Sequence, residues 1–135
     1  MRIRRAKPVP YTKLQQIAEL LKLDRAWIRI DMLGTDIDVL GLRRVGDDFA
    51  TYAVEVKATL HEKNAFHAIR QLDFRANFFN YVYLAVPSTD VYYALMIVPL
   101  EYGVIDLSNM TVVRKSKRFE GHFHRFMKMY LVDRW

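Results

Sequence analysis

The chain has 135 residues, 52% hydrophobic and 13% aromatic, with 21 Lys and Arg against 15 Asp and Glu, a formal charge of +6. That length and apolar content suit one domain with its own core and exclude a disordered or collagen-like chain. Cysteine is absent, which excludes a disulfide scaffold, thiolate-bound zinc and a thiol nucleophile, while the basic balance points to a polyanionic partner.

The charge is unevenly placed. Residues 1–30 carry net +6, residues 31–60 net −3, residues 61–90 none, and residues 91–135 net +3. An acidic centre between basic ends reads as a cation-binding spot within a phosphate-attracting surface. No apolar signal-peptide core follows Met1, and the longest apolar run, Val91 to Leu100, has ten residues, half of the ~20 that span a bilayer. A cytoplasmic protein with no membrane partner is expected.

In chain order, Thr12 and Gln15 suggest a capping box, and Leu14, Ile17, Ala18 and Leu21 predict a helix over 13–23. Trp27 to Leu33 reads as a strand and Gly34-Thr35 as a turn. Asp36 to Arg43 alternates, with Asp36, Asp38 and Leu40 on one face and Ile37 and Val39 on the other. Val45 to Asp48 reads as a four-residue hairpin loop. The strand Thr51 to Lys57 then sets Ala53, Glu55 and Lys57 on a common face.

Residues 63–79 switch to helical period. Ala65, Ala68, Ile69, Leu72, Ala76 and Phe79 form the apolar stripe, and His67, Gln71 and Arg75 lie along another side. Asn80 to Val86, closed by Pro87, reads as a buried strand. Tyr92 to Val98, Gly103 to Asp106 and Thr111 to Arg114 read as shorter strands. Phe123, Phe126, Met127, Tyr130 and Leu131 predict a helix within 120–135 that serves as core or dimer contact. Hairpin-linked strands and one crossover helix predict a single α/β domain over residues 1–135, a mixed sheet flanked by helices.

The chemistry concentrates in the acidic centre. With Val45 to Asp48 as the loop, Arg44 pairs with Phe49, and stepping outward sets Asp38 opposite Glu55, ~5 Å apart at Cβ. Two carboxylates and the Lys57 ammonium then converge. Carboxylates that close repel unless a proton or a cation joins them. Mg²⁺ or Mn²⁺ suits them, since such an ion takes about six oxygens and needs only one or two protein carboxylates. The Val56 carbonyl offers a further oxygen. Lys57 can serve a metal-bound water and offset charge on a phosphate. The competing reading is a solvated strand face with weak ion pairs.

The run Asp36-Ile37-Asp38-Val39-Leu40-Gly41, then Tyr52-Ala53-Val54-Glu55-Val56-Lys57-Ala58, resembles the PD-(D/E)XK nuclease superfamily. The resemblance implies a restriction-endonuclease-like fold, with Asp38 and Glu55 as metal ligands and Lys57 beside them. It also implies a supporting Gln71 on the next helix, a following strand ending in Pro87, and Glu19 on the first helix. The family's Pro before the first Asp is missing, since Ile37 stands there. In size and motif order the chain is similar to the small archaeal Holliday-junction resolvases, without their Ser- and Gly-rich basic segment.

Two basic clusters complete the picture: the arm Arg2, Arg4, Arg5 and Lys7 within residues 1–10, and Arg114, Lys115, Lys117 and Arg118 followed by His122, His124 and Arg125. Both suit contact with a nucleic-acid backbone; solvated surface is the plainer account of each. His122 and His124 alone make a weak metal pair. The expectation is a Mg²⁺- or Mn²⁺-dependent DNA endonuclease acting as a homodimer. The alternatives are a nucleic-acid-binding or assembly module that keeps the fold without cutting, and, more distantly, a protein-interaction domain.

Overall fold

A proline decides where the first helix begins. The computed structural model describes residues 9–135, so Arg2, Arg4, Arg5 and Lys7 lie outside the described residues. Pro10, at φ −60° and ψ 146°, precedes α1 (Tyr11–Leu20) as its N-cap, with no side-chain capping bond. The expected Thr12–Gln15 box does not form, because Thr12 already lies inside the first turn. The helix also stops before residue 23. Lys22 enters the left-handed region at φ 57°, Leu23 N–H bonds Ala18 O, and Lys22 N–H bonds Glu19 O, both at 3.0 Å. This is a Schellman closure with lysine in the position that glycine usually takes.

Three antiparallel strands follow, β1 (Arg25–Met32), β2 (Thr35–Val45) and β3 (Asp48–Val56). Leu33 and Gly34 both have positive φ, 60° and 73°, while Met32 pairs with Thr35, as in a type I′ turn. Gly46, at φ 63°, opens the second turn, and Val45 pairs with Asp48. That loop is thus two residues long, not four. The register survives because the shortening is symmetric: Arg44 still pairs with Phe49, and Val39 with Val54.

The remaining elements are α2 (Glu62–Ala76), β4 (Tyr81–Val86), α3 (Ser88–Ile97), β5 (Gly103–Asp106), β6 (Thr111–Arg114) and α4 (His122–Asp133). They complete a six-stranded mixed sheet of order β1-β2-β3-β4-β5-β6, parallel at β3–β4 and β4–β5 and antiparallel elsewhere. Of the predicted strand Tyr92 to Val98, the residues through Ile97 are instead the second half of α3, and Val98 is its extended C-cap. Parallel neighbours need a crossover, and α3 supplies it between β4 and β5. Its run is apolar almost all round, so period could not distinguish helix from strand. Asp90 in its first turn accepts the Leu60 N–H at 3.0 Å.

The protein is a single α/β domain with helices on both faces of the sheet. On one face, Leu14, Ile17 and Leu21 of α1 cover Val39, Val54, Tyr83 and Ile105. On the other, Ala68 and Leu72 of α2, Ala94 of α3, and Met127 and Leu131 of α4 cover Leu40, Ala53, Leu84 and Val104. Both crossover helices share that face, as right-handed connections running in one direction require. The C-terminal stripe divides: Met127 and Leu131 are buried, whereas Phe123, Phe126 and Tyr130 are exposed. No helix among the described residues is long and apolar enough to cross a membrane.

Candidate active site

The strands β2 and β3 part at one point. Their last ladder pair is Val39–Val54, while β2 continues along β1 through Ile37, Asp36 and Thr35. Asp38 fills the fork. Its Oδ2 accepts the Val56 N–H at 2.8 Å, a bond the ladder would otherwise have supplied. Since Leu40 and Ala53 face α2, alternation directs Asp38 and Glu55 to that same face. Each carboxyl group lies within electrostatic reach of the other.

Electrostatics reflects the crowding. Burial, reinforced by the Asp38 charge, pushes Glu55 up to about 7 against the opposing charges of Arg75 and Lys57. Asp38 is raised by burial as well, against the Val56 N–H and the Lys57 charge. Lys57 is half-buried just past β3, its N–H bonded to Ala85 O at 3.0 Å. Its ammonium acts on both carboxyl groups at a distance and forms no ion pair with either among the described residues. Since Lys57 N–H points to β4, the N–H and carbonyl of Val56 point the opposite way, toward the fork.

Sequence reasoning missed the fourth member of this site. Arg75 is only 2% exposed. Its Nη2 donates to Glu55 Oε1 at 3.0 Å, to Asp36 O at 3.0 Å and to Thr35 Oγ1 at 3.4 Å. The guanidinium thus bridges the two parted strands. A helical wheel sets Arg75 one turn after Gln71 and beside the Leu72 stripe, and an arginine there reads as solvated unless a buried acid across from it is considered. Gln71, on the same side of α2, has a buried Oε1 without a hydrogen-bond partner.

The other expected residues are distributed differently. Glu19 is exposed on α1, on the opposite face of the sheet, and is not among the charges acting on Asp38 or Glu55. His67 is exposed. Arg114 is committed to structure: its guanidinium donates to the carbonyls of Tyr102, Val98 and Pro99 at 2.9–3.1 Å, closing the C-terminal end of α3. Lys115 and Lys117 are exposed, and Arg118, also exposed, bonds Glu120 Oε2 and Tyr81 Oη. His124 is buried with Nε2 2.7 Å from Ala76 O, at the end of α2, and serves packing instead of metal.

No group of three or more His, Asp or Glu side chains gathers among the described residues. What the fork offers is an all-oxygen set, the carboxylates of Asp38 and Glu55 with the Val56 carbonyl turned to the same side. Such a set fits a hard divalent cation that keeps several waters and leaves thiolate-seeking metals unserved.

Comparison with family models and with curated proteins finds no match. Among solved structures the chain is similar to a protein of unknown function from Silicibacter pomeroyi, with a TM-score of 0.67 and 16% identity over 95% of this chain and 84% of that one. At that identity the likeness shows the fold alone.

Proposed function

We propose that this protein is a divalent-metal-dependent DNA endonuclease of the PD-(D/E)XK type, acting in the cytoplasm as a homodimer. The observation that carries the reading is the convergence of Asp38 and Glu55 at the β2–β3 fork, with Lys57 within electrostatic reach of both. Asp38, Glu55 and the Val56 carbonyl would hold Mg²⁺ or Mn²⁺, which supplies Lewis-acid polarisation of a phosphodiester and a more acidic water. Lys57 orients the attacking water and offsets charge developing on the phosphate. Gln71, one helical turn before Arg75 with a buried unpartnered Oε1, would supply a further polar contact. Glu19 has no part in this reading, because it lies across the sheet. Lys115, Lys117 and Arg118 would follow the DNA backbone, and the basic arm of Arg2, Arg4, Arg5 and Lys7 carries the charge for the same task.

A small nuclease cuts two strands most simply as two copies, and α4 offers a surface for that pairing. Phe123, Phe126, Met129 and Tyr130 are 43–65% exposed along it. Exposed apolar side chains along one surface helix support such a pairing.

One observation favours the second reading, a nucleic-acid-binding or assembly module that keeps the fold without cutting. Arg75 already holds Glu55 Oε1 at 3.0 Å, so the acid pair has a resident cation of its own. The two readings part in one assay. Plasmid, linear, single-stranded and four-way-junction DNA are incubated with purified protein in Mg²⁺, Mn²⁺ or EDTA. The nuclease reading expects cleavage of at least one substrate that EDTA abolishes; intact DNA throughout, with binding retained, favours the module.

A further inference from the structure

We infer that Arg75 is the positioning residue of this site: it pins one oxygen of Glu55 so that the other is presented, with Asp38, to a divalent cation. The inference rests on the metal-site reading above and adds the residue that makes the site competent.

The geometry carries it. All three hydrogen bonds of the Arg75 guanidinium to its surroundings run through Nη2, to Glu55 Oε1, Asp36 O and Thr35 Oγ1. Two of these acceptors, Asp36 O and Thr35 Oγ1, belong to β2 and the third is Glu55 itself on β3, so the group is anchored to β2 and reaches across the fork to the acid. The contact with Glu55 engages Oε1 alone. A bidentate clamp would have taken both oxygens and closed the site; a single-nitrogen contact leaves Oε2 available. Arg75 reaches Glu55 from α2, whereas Asp38 stands on β2 and holds the Val56 N–H.

Two effects oppose each other here. A fixed positive charge repels an arriving dication, and that alone would make Arg75 a competitor. Against it stands the alternative for Glu55. Without Arg75, a buried carboxylate whose other nearby cation is Lys57 has no reason to hold its orientation toward Asp38, and two unpaired carboxylates side by side repel. A ligand that must be reoriented before binding loses affinity, since pre-organisation is what a rigid site contributes. The guanidinium charge is also delocalised and partly satisfied by Asp36 O and Thr35 Oγ1, which weakens the repulsion. Orientation therefore outweighs repulsion.

The test measures Mn²⁺ binding directly, by calorimetry and by the loss of free-ion electron paramagnetic signal, in the full chain without DNA. Wild type, Arg75→Gln, Arg75→Lys and Glu55→Gln are compared after circular dichroism shows which are folded. Arg75→Gln keeps a donor and loses the cation, and is expected to bind Mn²⁺ at least tenfold more weakly than wild type. Arg75→Lys keeps a cation with a shorter reach and is expected to fall about threefold below wild type, recovering most of the loss. Unchanged or tighter binding in either folded variant overturns the inference, and Arg75→Lys decides the matter if Arg75→Gln does not fold. Failure of the underlying reading looks different: wild type and Glu55→Gln would then bind Mn²⁺ equally or not at all, and the inference falls with it. When wild type binds, Glu55→Gln does not, and the Arg75 variants match wild type, the metal site stands and only the role of Arg75 is lost.

Discussion

At the scale of single residues the acid pair makes a pH-dependent statement. Glu55 sits at about 7 in the folded protein, against 4.5 for an ordinary glutamate. Its folded value is raised, so the unfolded chain releases this proton first. The stabilisation is complete below pH 4.5 and is lost as pH rises through about 7, a penalty on the order of a few kcal/mol. The melting temperature is therefore expected to fall across that interval, and the fall should be smaller in Glu55→Gln. A divalent cation needs the ionised pair, so Mn²⁺ should raise the melting temperature by several degrees at pH 8 and little at pH 5.5. Differential scanning calorimetry at the two pH values checks both signs. A Mn²⁺ shift of equal size at pH 5.5 and pH 8 would contradict the assignment of Glu55 as a ligand.

At the scale of elements, the C-terminal end of α3 rests on one side chain. Arg114 gathers the carbonyls of Val98, Pro99 and Tyr102 where α3 stops. Arg114→Ala is expected to cost about 1–3 kcal/mol in urea unfolding, the penalty for leaving buried acceptors unpaired. DNA affinity, by contrast, should change no more than the loss of one distant charge would cause. If Arg114→Ala unfolds like wild type and loses DNA binding, its contact with phosphate is the better account.

The same scale explains what the chain made legible. Strands β2 and β3, their register and the shared face of Asp38 and Glu55 followed from alternation and one turn, because side chains in a strand repeat every two residues. Even the misjudged loop length left the pairing intact. The α3 helix was hidden because Val91 to Leu100 carries no polar face to set a period, and its start signal, Ser88 to Asp90, follows a proline that reads equally well as a strand end. Arg75 was hidden for a different reason. Its burial depends on an acid twenty residues earlier, brought across by a crossover helix, and no local pattern encodes that meeting. Glu19 shows the converse: it stands on the predicted helix, yet the Schellman turn and sheet geometry commit α1 to the face away from the acids.

At the scale of the whole molecule, the basic surface and the apolar helix face make separate predictions. DNA affinity should fall steeply with salt, each neutralised phosphate adding about 0.9 to the log–log slope. The triple variant Lys115→Ala, Lys117→Ala, Arg118→Ala should weaken binding evenly across sequences and flatten that slope by up to about three, as read by fluorescence anisotropy. An unchanged slope would remove this segment from the interface. For the apolar face, Phe126→Asp with Met129→Asp is expected to halve the mass seen in sedimentation equilibrium while leaving the fold intact. Monomeric wild-type protein at micromolar concentration would instead leave the α4 stripe for another partner.

Asp38 and Glu55 stand at one fork in the sheet, and metal-dependent cleavage would depend on that fork. The most direct measurement is the cleavage rate of one labelled DNA by wild type and Asp38→Asn in Mg²⁺ or Mn²⁺, with DNA binding measured on the same samples. Wild type is expected to cut, and Asp38→Asn to be at least about a hundredfold slower with binding within twofold, since a metal-dependent step loses its ligand. Equal rates for the two proteins, or bound DNA that neither protein cuts under any metal, would contradict the account.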